Sequence, residues 1–492
     1  MRLDSNKSPG PDKFYSRILK NTAEEIAESL TYVFNKSLEQ GIVPEDWKAA
    51  NITPIFKKGD SKLPGNYRPI SLTSVVGKIL ETLIRDKIVK FLEEHKLIKS
   101  SQHGFRNKRS CLTNLIEFYH KLLSINDRTK SLDIVYLDFQ KAFNKIPHSK
   151  LIYKLEQIGI GGSVLTWITN WLKGRKQRVV INGVSSEWAP VLSGVPQGSV
   201  LGPLLFVIYI NDLDIDINST ISKFADETKF GKSVLTIEDR NSLQADLDKI
   251  LNWSDKWQMP FNINKCQVMQ VGSRNPHYAY KINGQALSTT KQVRDLGVLV
   301  TSDLKTSSQS AAATKSANRM LSYIRRNFTY RNKDIILPLY KSMVRPHLEY
   351  AVQFWCPYLA KDIAKLESVQ RRATKLINSC RNKTYEERLK NLDLFSLEKR
   401  RVRGQLIECF KTLKGFNNLN PQLIFTLDNN CLTRGNGMKL RIPRANLDVT
   451  KHFFTYKIGR FWNGLPSSVI ESNTVDTFKK RLDKYFEENN FI

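Results

Sequence analysis

Three acidic residues of this chain have the type and the setting that phosphoryl chemistry needs. In Ile221-Ser-Lys-Phe-Ala-Asp-Glu-Thr-Lys-Phe230, two strand-like runs flank Asp226 and Glu227, which reads as strand, tight turn, strand with adjacent acids at the tip. Acids are common at turns. A hairpin does not require two like charges side by side, whereas a divalent cation does, because hard oxygen ligands must converge on it. Asp138 ends the apolar run Leu132-Asp-Ile-Val-Tyr-Leu137, whose pattern is that of a buried strand. Two strands ending in carboxylates can serve two Mg²⁺ ions, the apparatus of an in-line nucleotidyl transfer.

The surroundings agree in sign. Across 492 residues, 77 Lys and Arg stand against 47 Asp and Glu, a net charge of +30 that opposes compaction and suits a polyanion partner. Hydrophobic content of 41% and charged content of 25% are those of a globular chain, which excludes wholesale disorder. Cysteines at 111, 266, 356, 380, 409 and 431 lack zinc-knuckle or redox-pair spacing and read as free, mostly buried thiols. Met1 opens a polar segment with no secretory signal. The longest apolar run, Val200–Ile210, is too short to span a bilayer. The expectation is a soluble, intracellular protein with no membrane partner.

The elements that must position the acids can be read along the chain. Thr22-Ala-Glu-Glu25 has capping-box spacing and opens a helix ended by Gly41. Ile52–Phe56 reads as a strand that enters the basic loop Lys57–Lys62, a candidate phosphate lid or an ordinary solvated turn. Gln102-His-Gly-Phe-Arg-Asn-Lys-Arg109 is a basic turn with one exposed-looking aromatic. Trp167 and Trp171 sit on a helix ending at Gly174, and Asn182-Gly183 marks a hairpin. A strand with Lys265, Val268 and Val271 ends at Gly272. Up to about residue 300 the pattern is α+β with antiparallel pairing. Beyond it the chain is mainly helical, with Leu366, Val369, Ala373, Leu376 and Ile377 on one face and Arg371, Arg372 and Lys375 on the other. Arg400, Arg401 and Arg403 form a second basic cluster. Both clusters are solvated helix faces or nucleic-acid surfaces.

Taken together, the motifs resemble the reverse transcriptase of non-LTR retrotransposons of the jockey and chicken-repeat (LINE) type. Tyr136-Leu-Asp-Phe-Gln-Lys-Ala-Phe143, Ser193-Gly-Val-Pro-Gln-Gly-Ser-Val-Leu-Gly-Pro203, Phe224-Ala-Asp-Glu227 and Phe261-Asn-Ile-Asn-Lys265 are similar to that family's first four catalytic motifs, in order. Asn66-Tyr-Arg-Pro-Ile70 and Gln102-His-Gly-Phe-Arg106 lie upstream as in the family, and Val344–Tyr350, Val369–Thr374 and Leu397–Arg401 follow. The resemblance implies a right-hand polymerase: fingers, an antiparallel-sheet palm, a helical thumb and a basic, mostly helical C-terminal region. Expected divisions are a fingers extension at 1–40, the reverse transcriptase domain at 41–300, the thumb and basic helices at 301–427, a linker at 428–447 and a small module at 448–492.

The resemblance also implies roles. Asp138, Asp226, Glu227 and the Phe139 carbonyl would hold two Mg²⁺, with Mn²⁺ as a substitute. Lys265 would protonate the pyrophosphate leaving group. Arg68, with Lys58, would clamp the dNTP triphosphate in a forked geometry. Phe143 would exclude a ribose 2′-hydroxyl. Gln197 and Gly198 would line the nascent base pair, glycine permitting close backbone approach. Gln102, Phe105, Arg106, Arg109, Arg371, Arg372, Arg400 and Arg401 would contact nucleic acid. Partners would be an RNA template, a DNA or RNA primer and dNTPs, in a ribonucleoprotein of nucleus or cytoplasm.

Three departures stand out. Glu227 replaces the family's usual Asp and moves the carboxylate outward by roughly 1.5 Å, and displacements of about 1 Å can cost on the order of 100-fold. Asn144 stands where Asp is usual. The chain begins just ahead of Ser8-Pro-Gly-Pro-Asp12, and against the resemblance the expectation is a truncated, decaying copy that lacks the family's upstream endonuclease. A relic that binds RNA or RNA–DNA hybrid without polymerising is therefore a second expectation. An unrelated basic assembly protein is a third, and it requires Asp138 and Asp226 to lie apart.

Overall fold

Residues 3–428 and 437–489 are described by the structure, a computed structural model. Helix α1 (Ala23–Gln40) follows a short helix at Ser16–Asn21. The expected capping box at Thr22 does not form. The preceding helix leaves Thr22 at φ −105°, ψ 25°, and its hydroxyl donates back to the Ile18 carbonyl (3.0 Å). Strands β1 (Ala49–Phe56) and β2 (Tyr67–Thr73) pair antiparallel with Ile52 opposite Ser71, so the basic loop 57–66 closes one end of a hairpin. Helix α2 (Val75–Glu94) repeats apolar residues every four positions and buries Leu80, Ile84, Ile88 and Leu92.

Helix α3 (Cys111–Thr129) starts on a capping box between Ser110 and Thr113 and lies behind strand β3 (Leu132–Leu137). Helix α4 (Gly162–Leu172) buries Trp167 and Trp171. Strand β4 (Lys176–Ile181) runs parallel to β1 and turns back through Asn182 and Gly183, both at positive φ, as the Asn-Gly signal requires. Helix α5 (Gly202–Tyr209) is apolar on all sides and buried except at Pro203. Strands β5 (Thr220–Phe224) and β6 (Glu227–Lys232) form the acidic hairpin, and helix α6 (Ile237–Trp257) covers it. Strands β7 (Gln267–Val271) and β8 (Ser288–Thr289) complete a sheet of order β8-β7-β3-β6-β5, in which β3 is central and antiparallel to both neighbours. A separate hairpin of β9 (Gln292–Asp295) and β10 (Val298–Thr301) follows.

The remainder is mainly helical, as expected: α7 (Ser307–Asn327), α8 (Ala360–Lys375), α9 (Leu397–Leu413), α10 (Phe454–Trp462) and α11 (Val475–Glu488) are its longer helices. One hydrophobic cluster joins α3, β3, β7 and β10 to α7 and α8 and reaches Leu397 and Phe453, so packing runs across position 300. A third cluster joins Ile116 of α3 to α9, α10 and α11, with Phe410 stacked on Phe478 at 4.2 Å. Each large apolar side chain buried this way contributes roughly 1.5–3 kcal/mol. Helix α3 therefore ties the sheet to the helical half. Of the expected linker 428–447, residues 429–436 lie outside the described residues. The described remainder is anchored at two points: Leu440 is buried and pairs with Leu427, and Asp127 accepts from the Asn446 and Leu447 amides, while Arg441, Ile442, Pro443 and Arg444 between them are exposed. No helix among the described residues is long and apolar enough to cross a membrane.

Candidate active site

The sheet register brings the acids together. Leu137 of β3 pairs with Thr228 of β6, so Asp138, the next residue, faces Glu227 where both strands end. Phe224 pairs with Glu227 across the β5–β6 hairpin, which leaves Ala225 and Asp226 as its two turn residues. Glu227, expected at the tip beside Asp226, is instead the first residue of β6. All three acids line one cleft of about 1750 Å³. That exceeds the 300–1,000 Å³ typical of small-molecule pockets and leaves room for a nucleotide and a strand. The unrelated assembly reading, which needs Asp138 and Asp226 apart, does not fit this convergence.

Crowding of like charge shapes the site. Burial raises the Asp226 carboxyl above its ordinary value, Asp138 adds to the rise, and Arg68 and Lys57 oppose it. Glu227 opens onto the cleft yet is pushed up to about 7, first by desolvation in that concavity, then by Asp295 and Asp226. Lys265 Nζ lies 2.8 Å from Asp138 Oδ2, with more than half of its side chain exposed. Lys265 sits in a short 3-10 turn, Ile263–Lys265, and not in the expected strand, which starts at Gln267. The Asn262 amide donates to the Asp138 carbonyl (2.7 Å) and the Phe139 and Phe261 rings stack at 4.3 Å, which fixes this turn against the end of β3.

Among the described residues, no group of three or more His, Cys, Asp or Glu side chains is placed to hold a metal ion. Magnesium does not need one. It is commonly held by one or two carboxylates with substrate phosphates and water supplying the rest, and Asp138 and Asp226 form such a donor set.

The cleft walls carry several of the other expected residues. Arg68 and Lys58 are exposed over the acids, and neither is in an ion pair among the described residues. Phe143 stacks on Phe206 (4.5 Å) and meets the edge of Phe105 (6.1 Å), which is 56% exposed. Gln197 and Gly198 line the same cleft, and the Gln197 carbonyl accepts from the Ser71 amide (2.7 Å). Gly198 has φ +134°, and a Cβ there would overlap the Ser71 carbonyl, so only glycine lets this loop lie on β2. Sequence reasoning missed Leu296 and Gly297, the turn between β9 and β10, and Tyr350, whose hydroxyl donates to the Leu296 carbonyl (2.9 Å). Asp295-Leu-Gly297 is a turn signal that could have flagged the first two.

Several expected nucleic-acid contacts are corrected. Gln102 is fully buried and bonds within the protein. Arg109 is enclosed and ion-paired with Glu117 (2.7 Å), beside a buried His103 that desolvation pushes down to about 4. Arg106 is half-buried and donates to the Lys99 and Gln102 carbonyls. Arg401 is buried, and Arg400 is forked onto Glu349. Arg371 and Arg372 are exposed, although Arg371 lies 4.2 Å over the Tyr385 ring. In each case the protein itself occupies the side chain: Gln102, Arg106, Arg109 and Arg400 bond to protein groups, and Arg401 is enclosed without an ion pair among the described residues.

Comparison with known proteins gives the context. The family model for reverse transcriptase (RNA-dependent DNA polymerase) matches residues 55–300, half of the chain. The RNA-directed DNA polymerase from mobile element jockey of Drosophila funebris is 29% identical over 368 residues, covering 72% of this chain and 40% of that protein. The probable RNA-directed DNA polymerase from transposon X-element of Drosophila melanogaster is 27% identical over 416 residues, covering 80% of this chain and 45% of its own length. The chain thus spans less than half the length of these curated relatives. The apo telomerase structure from Candida tropicalis is similar at a TM-score of 0.42 and 12% identity, covering 72% of this chain and 63% of its own.

Proposed function

We propose that this chain, which belongs to the reverse transcriptase family and to its non-LTR, LINE-type branch, extends a primer with dNTPs on an RNA template. The observation that carries the reading is the meeting of Asp138 and Asp226 at adjacent strand ends, in a cleft overhung by Arg68 and Lys58, which have no ion pair among the described residues. Two divalent cations, Mg²⁺ or Mn²⁺ in its place, held by Asp138, Asp226 and the Phe139 carbonyl with Glu227 beside them, would ease deprotonation of the primer hydroxyl and stabilise the leaving oxygen.

The chain's own groups do the rest. Arg68, with Lys58, draws in and orients the triphosphate, its fork matching phosphate oxygens. Phe143, backed by Phe206, forms a firm wall against the sugar and disfavours a 2′-hydroxyl. Gln197 and Gly198 present the loop over β2 to the base pair. Lys265 holds Asp138 until substrate arrives, and its exposed ammonium can then turn to the leaving pyrophosphate as proton donor. An RNA template with a DNA or RNA primer would be bound largely through phosphates, and so weakened by salt.

A second reading has a specific observation behind it. Glu227 sits among Asp226, Asp138 and Asp295 with its carboxyl pushed up to about 7, which favours a relic that binds RNA–DNA hybrid without extending it. Primer extension in Mg²⁺ and Mn²⁺, with Asp226→Ala and Glu227→Asp beside the unaltered chain, separates the two. Extension lost in Asp226→Ala and raised by Glu227→Asp supports the polymerase. Silence of the unaltered chain and of Glu227→Asp, with hybrid binding retained, supports the relic.

A further inference from the structure

Ser101 to Gly104 runs along the free edge of β5 as an added strand. The Lys223 amide donates to the Ser101 carbonyl (2.8 Å), the His103 amide donates to the Lys223 carbonyl (2.9 Å), and Gln102 bridges Lys223 in parallel. Gly104 then passes so close to the acidic turn that a Cβ would overlap the Ala225 amide. The Gln102 side chain, 0% exposed, accepts from the Gly104 amide (2.7 Å) and the Ala225 amide (3.0 Å) through one oxygen, Oε1. Ala225 has φ +53°, a conformation that a non-glycine residue keeps only when its neighbours impose it. Asp226 is the next residue.

The strap is itself anchored from below. Ser101 Oγ donates to Asp214 Oδ2 (2.5 Å), and Asp214 Oδ1 takes Lys223 Nζ (2.9 Å), a fully buried lysine that also donates to the Asn211 carbonyl (3.1 Å). Asn114 of α3 donates to Ser222 Oγ (2.8 Å) on the same strand. The position of the turn is therefore set from outside the hairpin, and Gln102 is the last link before the acid.

We propose that Gln102 is a positioning residue for polymerisation: through the Ala225 amide it fixes where the Asp226 carboxylate stands in the cleft, and it touches no nucleic acid. Its kinetic consequence rests on the polymerase reading; its structural half does not. The residue type follows from the task. An acceptor must reach two buried amides at once, which asparagine, one methylene shorter, does not. Glutamate supplies the same acceptor. Its second oxygen takes the place of Gln102 Nε2, which is buried with no partner, so the recovery expected is partial.

The test uses the full chain with Gln102→Ala, Gln102→Asn and Gln102→Glu. Amide hydrogen exchange over residues 220–232 needs no activity. Alanine and asparagine are expected to speed exchange at Ala225–Glu227 about tenfold or more, the scale of one lost buried hydrogen bond, while β3 amides keep their protection and Gln102→Glu partly restores that of the turn. Where the unaltered chain extends a primer, kcat is expected to fall about 100-fold in Gln102→Ala, as for a displacement near 1 Å. KM for dNTP and Kd for hybrid should stay within threefold, with partial recovery in Gln102→Glu. Unchanged exchange at the turn with weakened hybrid binding overturns the proposal in favour of a nucleic-acid contact. Loss of protection across the whole sheet in Gln102→Ala and Gln102→Glu alike overturns it in favour of a purely structural role. If the unaltered chain does not extend at all, the polymerase reading fails, and the exchange data still decide the positioning claim.

Discussion

Arg68 and Lys58 stand over the cleft exposed and without an ion pair among the described residues, whereas Arg400 and Arg403 in the helical half are each forked onto a carboxylate of another element. Glu349 lies 51 positions from Arg400, and Asp483 lies 80 positions from Arg403. Arg401, between them, is buried. In sequence both regions are basic, and each reads either as a phosphate-binding surface or as a solvated one. In the fold Arg400 and Arg403 are consumed in joining α9 to its neighbours, and Arg401 is enclosed. What distinguishes a cation free to bind phosphate is that no partner neutralises it, and that is a tertiary property.

This contrast can be broken in three places. The largest effect is expected at the cleft. Arg68→Ala should lower kcat/KM for dNTP about 100-fold, the scale of a lost charge-assisted phosphate contact, with thermal stability within about 0.5 kcal/mol of the unaltered chain. A stability loss with unchanged kinetics would move Arg68 into the structural class. Next, Glu349→Ala strands a partly enclosed Arg400 and should destabilise the fold by about 1–2 kcal/mol, discounted for its partial exposure. The salt dependence of hybrid binding should not change, because Arg400 is not at a phosphate. A shallower salt slope in this variant would contradict the assignment.

The smallest effect concerns Glu117, the partner of Arg109 and His103. Burial would raise its carboxyl, but the hydrogen bonds and charge of His103 and Arg109 outweigh it and hold the group down to about 2, against an ordinary 4.5. A depressed carboxylate stabilises the folded state fully above the unfolded value of 4.5, and the contribution is lost as pH falls through about 2. Glu117→Gln should therefore cost on the order of 1 kcal/mol near pH 7. In urea titrations its deficit should shrink between pH 4.5 and the acid limit of folding. A deficit independent of pH would mean that the pair contributes nothing through charge.

How much of this was legible in the sequence depended on the range of the interactions involved. The acidic hairpin, the Asn182-Gly183 turn and the amphipathic face of α8 were readable because apolar alternation, helical spacing and turn chemistry are encoded within a few residues. Asp138 and Asp226 stood out in the sequence because each lies just past strand-like sequence, Asp138 after Leu137 and Asp226 in the turn after Phe224. The β6–β3 register, which turns two separate acids into one site, involves residues about 90 positions apart and could only be expected from the resemblance. Gln102, Arg109 and Arg401 were expected at nucleic acid because their burial, and the bonds of Gln102 to Ala225 and of Arg109 to Glu117, are set by packing and not by residue type. Thr22 failed as a cap because a second helix ends directly before it, a boundary that propensity alone does not mark. Leu296, Gly297 and Tyr350 join the cleft only because β9 and β10 fold back beside β6.

The central claim is that Asp138 and Asp226 act as one cation site. Manganese binding to the full chain, with primer, RNA template and an incoming dNTP present, tests it by electron paramagnetic resonance. The unaltered chain would be compared with Asp138→Asn, Asp226→Asn and the double variant. The account predicts that either single change removes most of the bound signal and that the double change adds little, since both acids serve the same ions. Undiminished manganese binding in the double variant would contradict it and leave the convergence of the two strand ends without a catalytic meaning.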